Sequence, residues 1–499
     1  MSESEARSAT GQWLARLAAG GRVAEWRAIL LVLLLQLVVW TAYAALSKAN
    51  LDGPGDMIEN YVQGLDLQFG YGSHPPFHSW VVGLWFRIFP STDLAYHLLA
   101  ATNIVVALGL AGALAARILP PPGALVAVLM LSLVPYYNVS ALTYNANSAL
   151  LPLWPAAALA LHRMLATRRI VDGVLLGVAC AAAMLTKYFS ACLLVALGVA
   201  ALADPRRAVV WRSAAPYAAA VTVVLLCLPH LLWLVDNDFA PVAYAEGRRV
   251  AGWGELAPRL WLYVAGQAAV LALPVALFFL AARTAAAAPF APEQGDRRFL
   301  WIVTVLPFAV SVVLGVASFA PLASTWAMPA WFALPPILFV VARRAPDLAV
   351  LRAFALAVAI ALVLAVIAAP IVDQVLARRG ALVAVDPRRE LAERIPDLWR
   401  REFGRPLAVV AGDRALAGSI TFYAPEHPRY LTGFAIARGA TVGPEGIAVI
   451  CPADDAPCRA QAEAFVAGRA AMREIGVAQR RAWIAVPERR FAVWFVPPR

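Results

Sequence analysis

Two carboxylates three residues apart, Asp56 and Glu59, stand in the stretch Asn50-Leu51-Asp52-Gly53-Pro54-Gly55-Asp56-Met57-Ile58-Glu59-Asn60-Tyr61. On a helix that spacing puts both on one face. A carboxylate so placed can take a proton from an attacking hydroxyl as general base; the plainer role is to cap and solubilise a helix start. A second set of residues is cationic. Lys187, in Met184-Leu185-Thr186-Lys187-Tyr188, is the only lysine after Lys48 and abuts long apolar runs. A cation there is costly and usually has a partner or a task, the alternative being snorkelling to the interface. His74, Arg248 and Arg249 add positive charge suited to an anionic ligand, although a solvated loop is the simpler account of the two arginines. Asn145 and Asn147 precede an apolar run, where helix capping competes with a binding role. Tyr61, Phe69, Tyr71, Trp80, Tyr136, Tyr137 and Tyr144 lie near these groups in the chain. An interfacial aromatic belt explains most of them, and stacking on a sugar explains one or two.

The elements that must position these residues are apolar. Of 499 residues 62% are hydrophobic and 15% charged, and the mean hydropathy is +0.69; soluble domains are nearer half apolar and a quarter charged. The net charge of +11 does not point to nucleic acid, because the arginines punctuate apolar runs instead of forming one stripe. Runs able to cross about 30 Å of hydrocarbon are Ala28–Leu46 and residues 93–116, 123–141, 148–165, 171–187, 189–203, 214–235, 257–282, 299–319, 327–342 and 353–371. The fold expected is therefore an all-α polytopic membrane protein of about eleven spans. The polar stretch 1–26 holds a short amphipathic piece around Trp13–Leu17, and the first apolar run reads as an uncleaved span. Phe77–Phe89 is too short to cross and reads as interfacial, anchored by Trp80, Trp85 and Arg87.

Arginines concentrate in alternate loops: Arg117; Arg163, Arg168 and Arg169; Arg206, Arg207 and Arg212; Arg283, Arg297 and Arg298; Arg343, Arg344 and Arg352. By the positive-inside rule this places the N-terminus in the cytoplasm and the chain from about residue 373 outside. A transmembrane domain over 1–372 and a small outer α/β domain over 373–499 follow. In the tail, Leu407–Val410, Ile447–Cys451, Trp483–Val486 and Phe491–Val496 read as strands, and Pro387–Phe403 and Cys458–Ala471 as helices. Cys180, Cys192 and Cys227 fall inside apolar runs as packing residues. Cys451 and Cys458 flank Pro452–Pro457 without a histidine beside them; a disulfide in an oxidising compartment fits them better than a metal site.

Gly70-Tyr71-Gly72-Ser73-His74-Pro75-Pro76-Phe77 and Leu185-Thr186-Lys187-Tyr188 resemble two motifs of the bacterial members of glycosyltransferase family 39, the protein O-mannosyltransferase-like group that includes aminoarabinose transferases acting on lipid A. The resemblance covers residues 28–240. It implies the membrane-embedded GT-C fold, a multi-pass protein of the bacterial inner membrane, and inverting transfer of a sugar from a polyprenyl-phosphate donor to a lipid, glycan or protein acceptor on the periplasmic side. Counted back from the double proline, Asp56 falls on the family's catalytic aspartate. Met57 replaces the usual neighbouring glutamate, and Glu59 stands in its place one helical turn on. Asn147 falls where many members carry aspartate.

On this reading Asp56 and Glu59 are the catalytic carboxylates. His74, Lys187, Arg248 and Arg249 face the donor phosphate, and Tyr61, Tyr71 and Asn147 contact sugar or acceptor. No cofactor is required; Asp56 and Glu59 are the residues to which a divalent metal could bind, but the sequence holds no closed ligand set. Two other classes remain open. A transporter or lipid flippase would show midplane charges and an inverted repeat, and the sequence has neither. A non-catalytic scaffold presenting the tail would tolerate loss of an outer-loop carboxylate.

Overall fold

The computed structural model describes residues 21–284, 287–479 and 486–499. Among them, seven helices are long and apolar enough to cross a membrane: Gly21–Ser47, Asp93–Ile118, Ala215–Asp236, Trp253–Ala282, Gln294–Ser318, Ser324–Ala342 and Leu348–Arg378. The count becomes eight if Gly123–Ser132 and Pro135–Leu142, bent by 93° at their break, are one broken span. Each of the eleven expected runs falls on a helix or a helix pair. The smaller count arises because Ile170–Thr186 and Tyr188–Ala203 are apolar but short, and because Leu150–Thr167 carries two prolines, His162 and Arg163.

These helices present apolar side chains outward. Leu31, Leu34, Leu35 and Val38 on the first, and Leu356, Val363, Leu364 and Ile367 on the last, are exposed. Only 17% of the apolar window of Leu348–Arg378 is buried inside the protein. An exposed apolar surface of this length is stable only in lipid. The protein is a multi-pass membrane protein.

The chain divides into two compact units. One comprises residues up to Thr41, Phe69–His78 and Ala100–Val366; the other comprises Ala42–Gln68, Ser79–Leu99 and Ile367–Arg499. The C-terminal sheet therefore shares its unit with two segments from early in the chain. Strands β1 (Val409–Gly412), β2 (Arg429–Tyr430), β3 (Ile447–Pro452), β4 (Met472–Val477) and β5 (Arg489–Val496) form one sheet in the order β2-β1-β3-β5-β4. β1 is parallel to β2 and β3, whereas β5 is antiparallel to β3 and β4. Both faces are covered, as a largely buried sheet requires. Leu391, Ile395 and Trp399 of helix Arg388–Phe403 and Leu416 and Ile420 of helix Arg414–Tyr423 pack on Val410, Ile450 and Phe491. Ala462 and Val466 of helix Ala456–Val466 pack on Val409, Val449 and Trp494.

Two of the four expected strands, Ile447–Cys451 and Phe491–Val496, coincide with β3 and β5, and Leu407–Val410 overlaps the start of β1. Trp483–Val486 lies, except for Val486, outside the described residues, as does the amphipathic piece Trp13–Leu17. Cys451 and Cys458 are joined as a disulfide with Cα atoms 5.8 Å apart. It ties the end of β3 to the first turn of helix Ala456–Val466, whose start the Asp455 carboxylate caps by accepting from the Cys458 N–H at 2.9 Å.

Candidate active site

Asp56 and Glu59 both lie in the first turn of helix Asp56–Asp66. Gly55 starts this helix with φ of 82°, a left-handed conformation that other residues rarely adopt. Having no side chain, Gly55 cannot cap the helix. The buried Asp52 does so, its Oδ2 accepting from the Asp56 N–H at 2.7 Å. The loop before the helix is held by Arg388, a buried cation. Its Nη1 donates to the Asp52 carbonyl at 2.8 Å, its Nη2 to the Gly53 carbonyl at 2.6 Å, and its Nε to Asp386 Oδ2 at 3.0 Å. Asn50 adds a further tie, donating from Nδ2 to the Asp386 carbonyl at 2.9 Å. Burial and then the neighbouring Asp56 charge raise the Asp52 carboxyl above its ordinary range, while Arg388 opposes them.

The two carboxylates differ in exposure. Glu59 accepts from Arg414 Nη1, and from Gln63 Nε2 at 3.1 Å; Gln63 is itself held by Ser79 Oγ at 2.8 Å. Asp56 meets Arg414 Nη2 more loosely, at 3.5 Å, and its side chain keeps 36% of its surface exposed against 21% for Glu59. Glu59 is thus the more enclosed carboxylate, and Asp56 is the more accessible one. Among the described residues no group of three His, Cys, Asp or Glu side chains is arranged to hold a metal; these two carboxylates face a guanidinium instead.

Tyr61, expected to bind sugar, is a core residue. It is 4% exposed, its ring meets Phe86 and Phe422 edge-on at 5.1 and 4.8 Å, and its hydroxyl pairs with Ser91 Oγ at 2.9 Å. Its helix packs closely on its neighbour. A Cβ at Gly64 would lie 2.5 Å from the Ser79 carbonyl oxygen and 2.6 Å from the Gly83 nitrogen.

In the other unit, Lys187 follows helix Ile170–Thr186 in an extended conformation, before the short 3-10 turn Tyr188–Ser190. Its ammonium donates to Asn147 Oδ1 at 2.6 Å and sits 3.9 Å from the centroid of the Trp326 ring. A cation over an indole face is a stabilised arrangement, so Lys187 is placed, not snorkelled. Asn147, expected to contact sugar or acceptor, is the partner that holds this lysine, and Asn145 Oδ1 in turn accepts from the Asn147 N–H at 3.0 Å.

His74 meets Tyr244 with ring centroids 6.3 Å apart, and Arg248 Nη1 donates to the Tyr244 hydroxyl at 2.7 Å. Arg249 is exposed and pairs with Glu246 at 3.5 Å. Tyr71 is 6% exposed and packs inside, its N–H donating to the His74 carbonyl at 3.2 Å. Gly70 allows the segment to pass Trp233, whose ring a Cβ there would meet at 2.2 Å. His230 fixes the same segment: it pairs through Nδ1 with the Phe69 carbonyl at 2.6 Å and through Nε2 with the Tyr188 hydroxyl at 2.8 Å.

Three residues at these positions carry no local signal in the sequence. Arg414 lies about three hundred and fifty positions from the carboxylates it meets. His78 reads in sequence as part of an apolar interfacial piece. It is fully buried with both ring nitrogens lacking a hydrogen-bond partner, and burial, then the Lys187 charge, push it down to about 3. A neutral imidazole beside the lysine is the result. Trp326 carried no motif.

Residues 73–233 match the family described as dolichyl-phosphate-mannose-protein mannosyltransferase. The match covers about a third of the chain. The resemblance to glycosyltransferase family 39 therefore holds over the stretch that includes His74 and Lys187, and Asp56 precedes the matched residues. Two relatives from Rhizobium johnstonii are described as lipopolysaccharide core galacturonosyltransferases. RgtA is 32% identical over 42% of this chain and 44% of its own length; RgtB is 24% identical over 71% of this chain and 73% of its own. The match to RgtA thus spans less than half of that relative. The fold is similar to that of ArnT from Cupriavidus metallidurans, solved bound to undecaprenyl phosphate, with a TM-score of 0.58 and 17% identity over 93% of this chain and 97% of that one. Its apo form gives a TM-score of 0.55. At that identity the likeness is one of fold.

Proposed function

We propose that this protein is an inverting membrane glycosyltransferase that moves a sugar from a polyprenyl-phosphate donor to a hydroxyl on a lipid, glycan or protein acceptor. The observation that carries the reading is Asp56, an accessible carboxylate at the start of a pinned helix. The same chain matches, over residues 73–233, a family named for a polyprenyl-phosphate sugar, dolichyl-phosphate mannose. The ArnT structure holds undecaprenyl phosphate, which supports the same donor class.

The acceptor oxygen bonds to the anomeric carbon as the bond from that carbon to the phosphate oxygen breaks. Asp56 takes the acceptor's proton as general base, and polyprenyl phosphate leaves with the bonding electrons. A phosphate needs positive charge and donors to stabilise it as it departs, not a strong acid. Lys187, held by Asn147 and Trp326, is the first such group, with His74 and Arg248 beside Tyr244 as further candidates. Arg249, paired with Glu246, is the weakest of the set. No divalent metal enters this scheme. Donor sugars on a lipid carrier suit a reaction on the periplasmic face of the inner membrane, with the N-terminus in the cytoplasm and the tail beyond 373 outside, as the arginine pattern expects.

The test is donor turnover. Protein in nanodiscs is given undecaprenyl-phosphate sugars, galacturonate and aminoarabinose first, with extracted envelope lipid as acceptor, and released undecaprenyl phosphate is measured. Release that requires both acceptor and Asp56 is expected; release unaffected by Asp56→Asn overturns the assignment of the base.

A further inference from the structure

We infer that Arg414, delivered by the C-terminal α/β module, is a positioning residue for the carboxylate pair: it holds Glu59 aside and orients Asp56, so that transfer depends on this module. The inference rests on the function proposed above.

The sheet explains why an arginine stands there. β1 leads outward to β2 on one side, and the chain returns to place β3 on the other. The carboxyl ends of β1 and β3 therefore flank a switch point, the place where open α/β sheets present ligand-facing groups. β1 ends at Gly412 with φ of 110°; a Cβ there would lie 2.0 Å from the Ile450 carbonyl oxygen. Asp413 then caps helix Arg414–Tyr423, accepting from the Leu416 N–H at 2.9 Å. Arg414 is thus the first residue of a helix whose start is fixed by both turn and cap. Its guanidinium divides between partners, Nη1 donating to Glu59, and Nη2 donating to the Pro54 carbonyl at 2.9 Å and lying 3.5 Å from Asp56.

The two helices approach closely at this point. A Cβ on Gly55 would meet the Ala415 Cβ at 2.9 Å, and one on Gly418 would meet Ile58 Cγ2 at 2.4 Å. The backbone geometry, and not one flexible side chain, brings the arginine to the carboxylates. Two anionic side chains on one helical turn repel each other. A planar fork that engages one and touches the other relieves this repulsion and fixes their relative orientation, which a compact ammonium cannot fully reproduce.

The test has two arms. In nanodiscs, a double-mutant cycle of Arg414→Ala and Glu59→Gln on thermal unfolding should show coupling; additive effects overturn the contact itself, whatever the protein's activity. In the transfer assay, Arg414→Ala should lower kcat about tenfold to a hundredfold, the range of a charge-assisted contact, with the KM for polyprenyl-phosphate sugar unchanged. Arg414→Lys should recover part of the loss, and added ethylguanidinium should partly rescue Arg414→Ala but not Asp56→Asn. An unchanged kcat, or a loss that neither lysine nor ethylguanidinium relieves, overturns the positioning role. Coupling without any transfer by the wild type contradicts the functional reading instead.

Discussion

Replacing Arg388 by Met keeps an aliphatic stem and removes the guanidinium that ties the loop before Asp56 to the C-terminal module. Arg388 is 1% exposed and uses Nε, Nη1 and Nη2 on Asp386, the Asp52 carbonyl and the Gly53 carbonyl. Losing it leaves two carbonyls without this donor and leaves Asp386 to Arg489, which reaches its Oδ1 at 2.6 Å. Breaking a buried ion pair by removing one partner costs about 3–5 kcal/mol. Each orphaned carbonyl would cost about 1–3 kcal/mol, but these overlap with the ion-pair term and do not add to it. A loss of about 3–5 kcal/mol corresponds to a fall in Tm of roughly 6–20 °C for a unit of this size. Hydrogen exchange of the full chain in nanodiscs gives the local readout: amides of residues 51–56 and 384–388 should exchange faster while those of β3 change less. Arg388→Lys, which retains a charge near Asp386 but not the fork, should fall between. A Tm within about 2 °C of wild type, with unchanged exchange at 51–56, would refute the claim that this arginine holds the loop.

Asp52→Asn should preserve the cap on the Asp56 N–H while removing a buried charge. Because the folded protein raises the Asp52 carboxyl, that charge costs stability as pH rises through its folded pKa. Asp52→Asn should therefore be at least as stable as wild type at pH 7 and lose any advantage toward pH 4, whereas Asp52→Ala should lose about 1 kcal/mol from the missing cap; unfolding scans across pH check this. Gly64→Ala should destabilise by more than about 2 kcal/mol, since its Cβ meets the backbone of Ser79 and Gly83 and something must shift; a Tm equal to wild type contradicts it. Lys187→Ala should weaken donor use, with Lys187→Arg a partial substitute because a fork does not fit a seat shaped by Asn147 and Trp326; unchanged donor KM and turnover would make the lysine structural. Removing the Cys451–Cys458 bond should cost about 2–3 kcal/mol in the entropy model, read from unfolding with and without reductant.

The apolar runs, the helical face shared by Asp56 and Glu59, and the motifs around His74 and Lys187 were legible in the sequence because each depends on local spacing. The bend inside one of those runs was not. Pro135 follows Gly123–Ser132 and the chain bends there by 93°, so one apolar run becomes two short helices. Helix Arg414–Tyr423 escaped because Gly418, Ser419, Ile420 and Thr421 are weak helix formers; the one available signal was Asp413 standing before the run as a cap. Neither Tyr61 nor Tyr71 could be distinguished from a stacking residue by type alone. Phe86 and Phe422 enclose Tyr61, and Tyr71 is likewise buried. The pairing of Asn147 with Lys187 joins residues from separate runs, which local spacing does not reveal.

Transfer from a lipid-phosphate donor with Asp56 as base would leave its mark on the envelope. The most direct measurement is mass spectrometry of lipid extracts and envelope glycans from a deletion strain complemented with wild type or Asp56→Asn at matched abundance. The deletion should accumulate one polyprenyl-phosphate sugar and lose that sugar from one envelope component. Wild type should reverse both changes, and Asp56→Asn, slowed about 10²–10⁴-fold, should reverse neither. No change in any lipid or glycan on deletion, or full restoration by Asp56→Asn, would contradict the account.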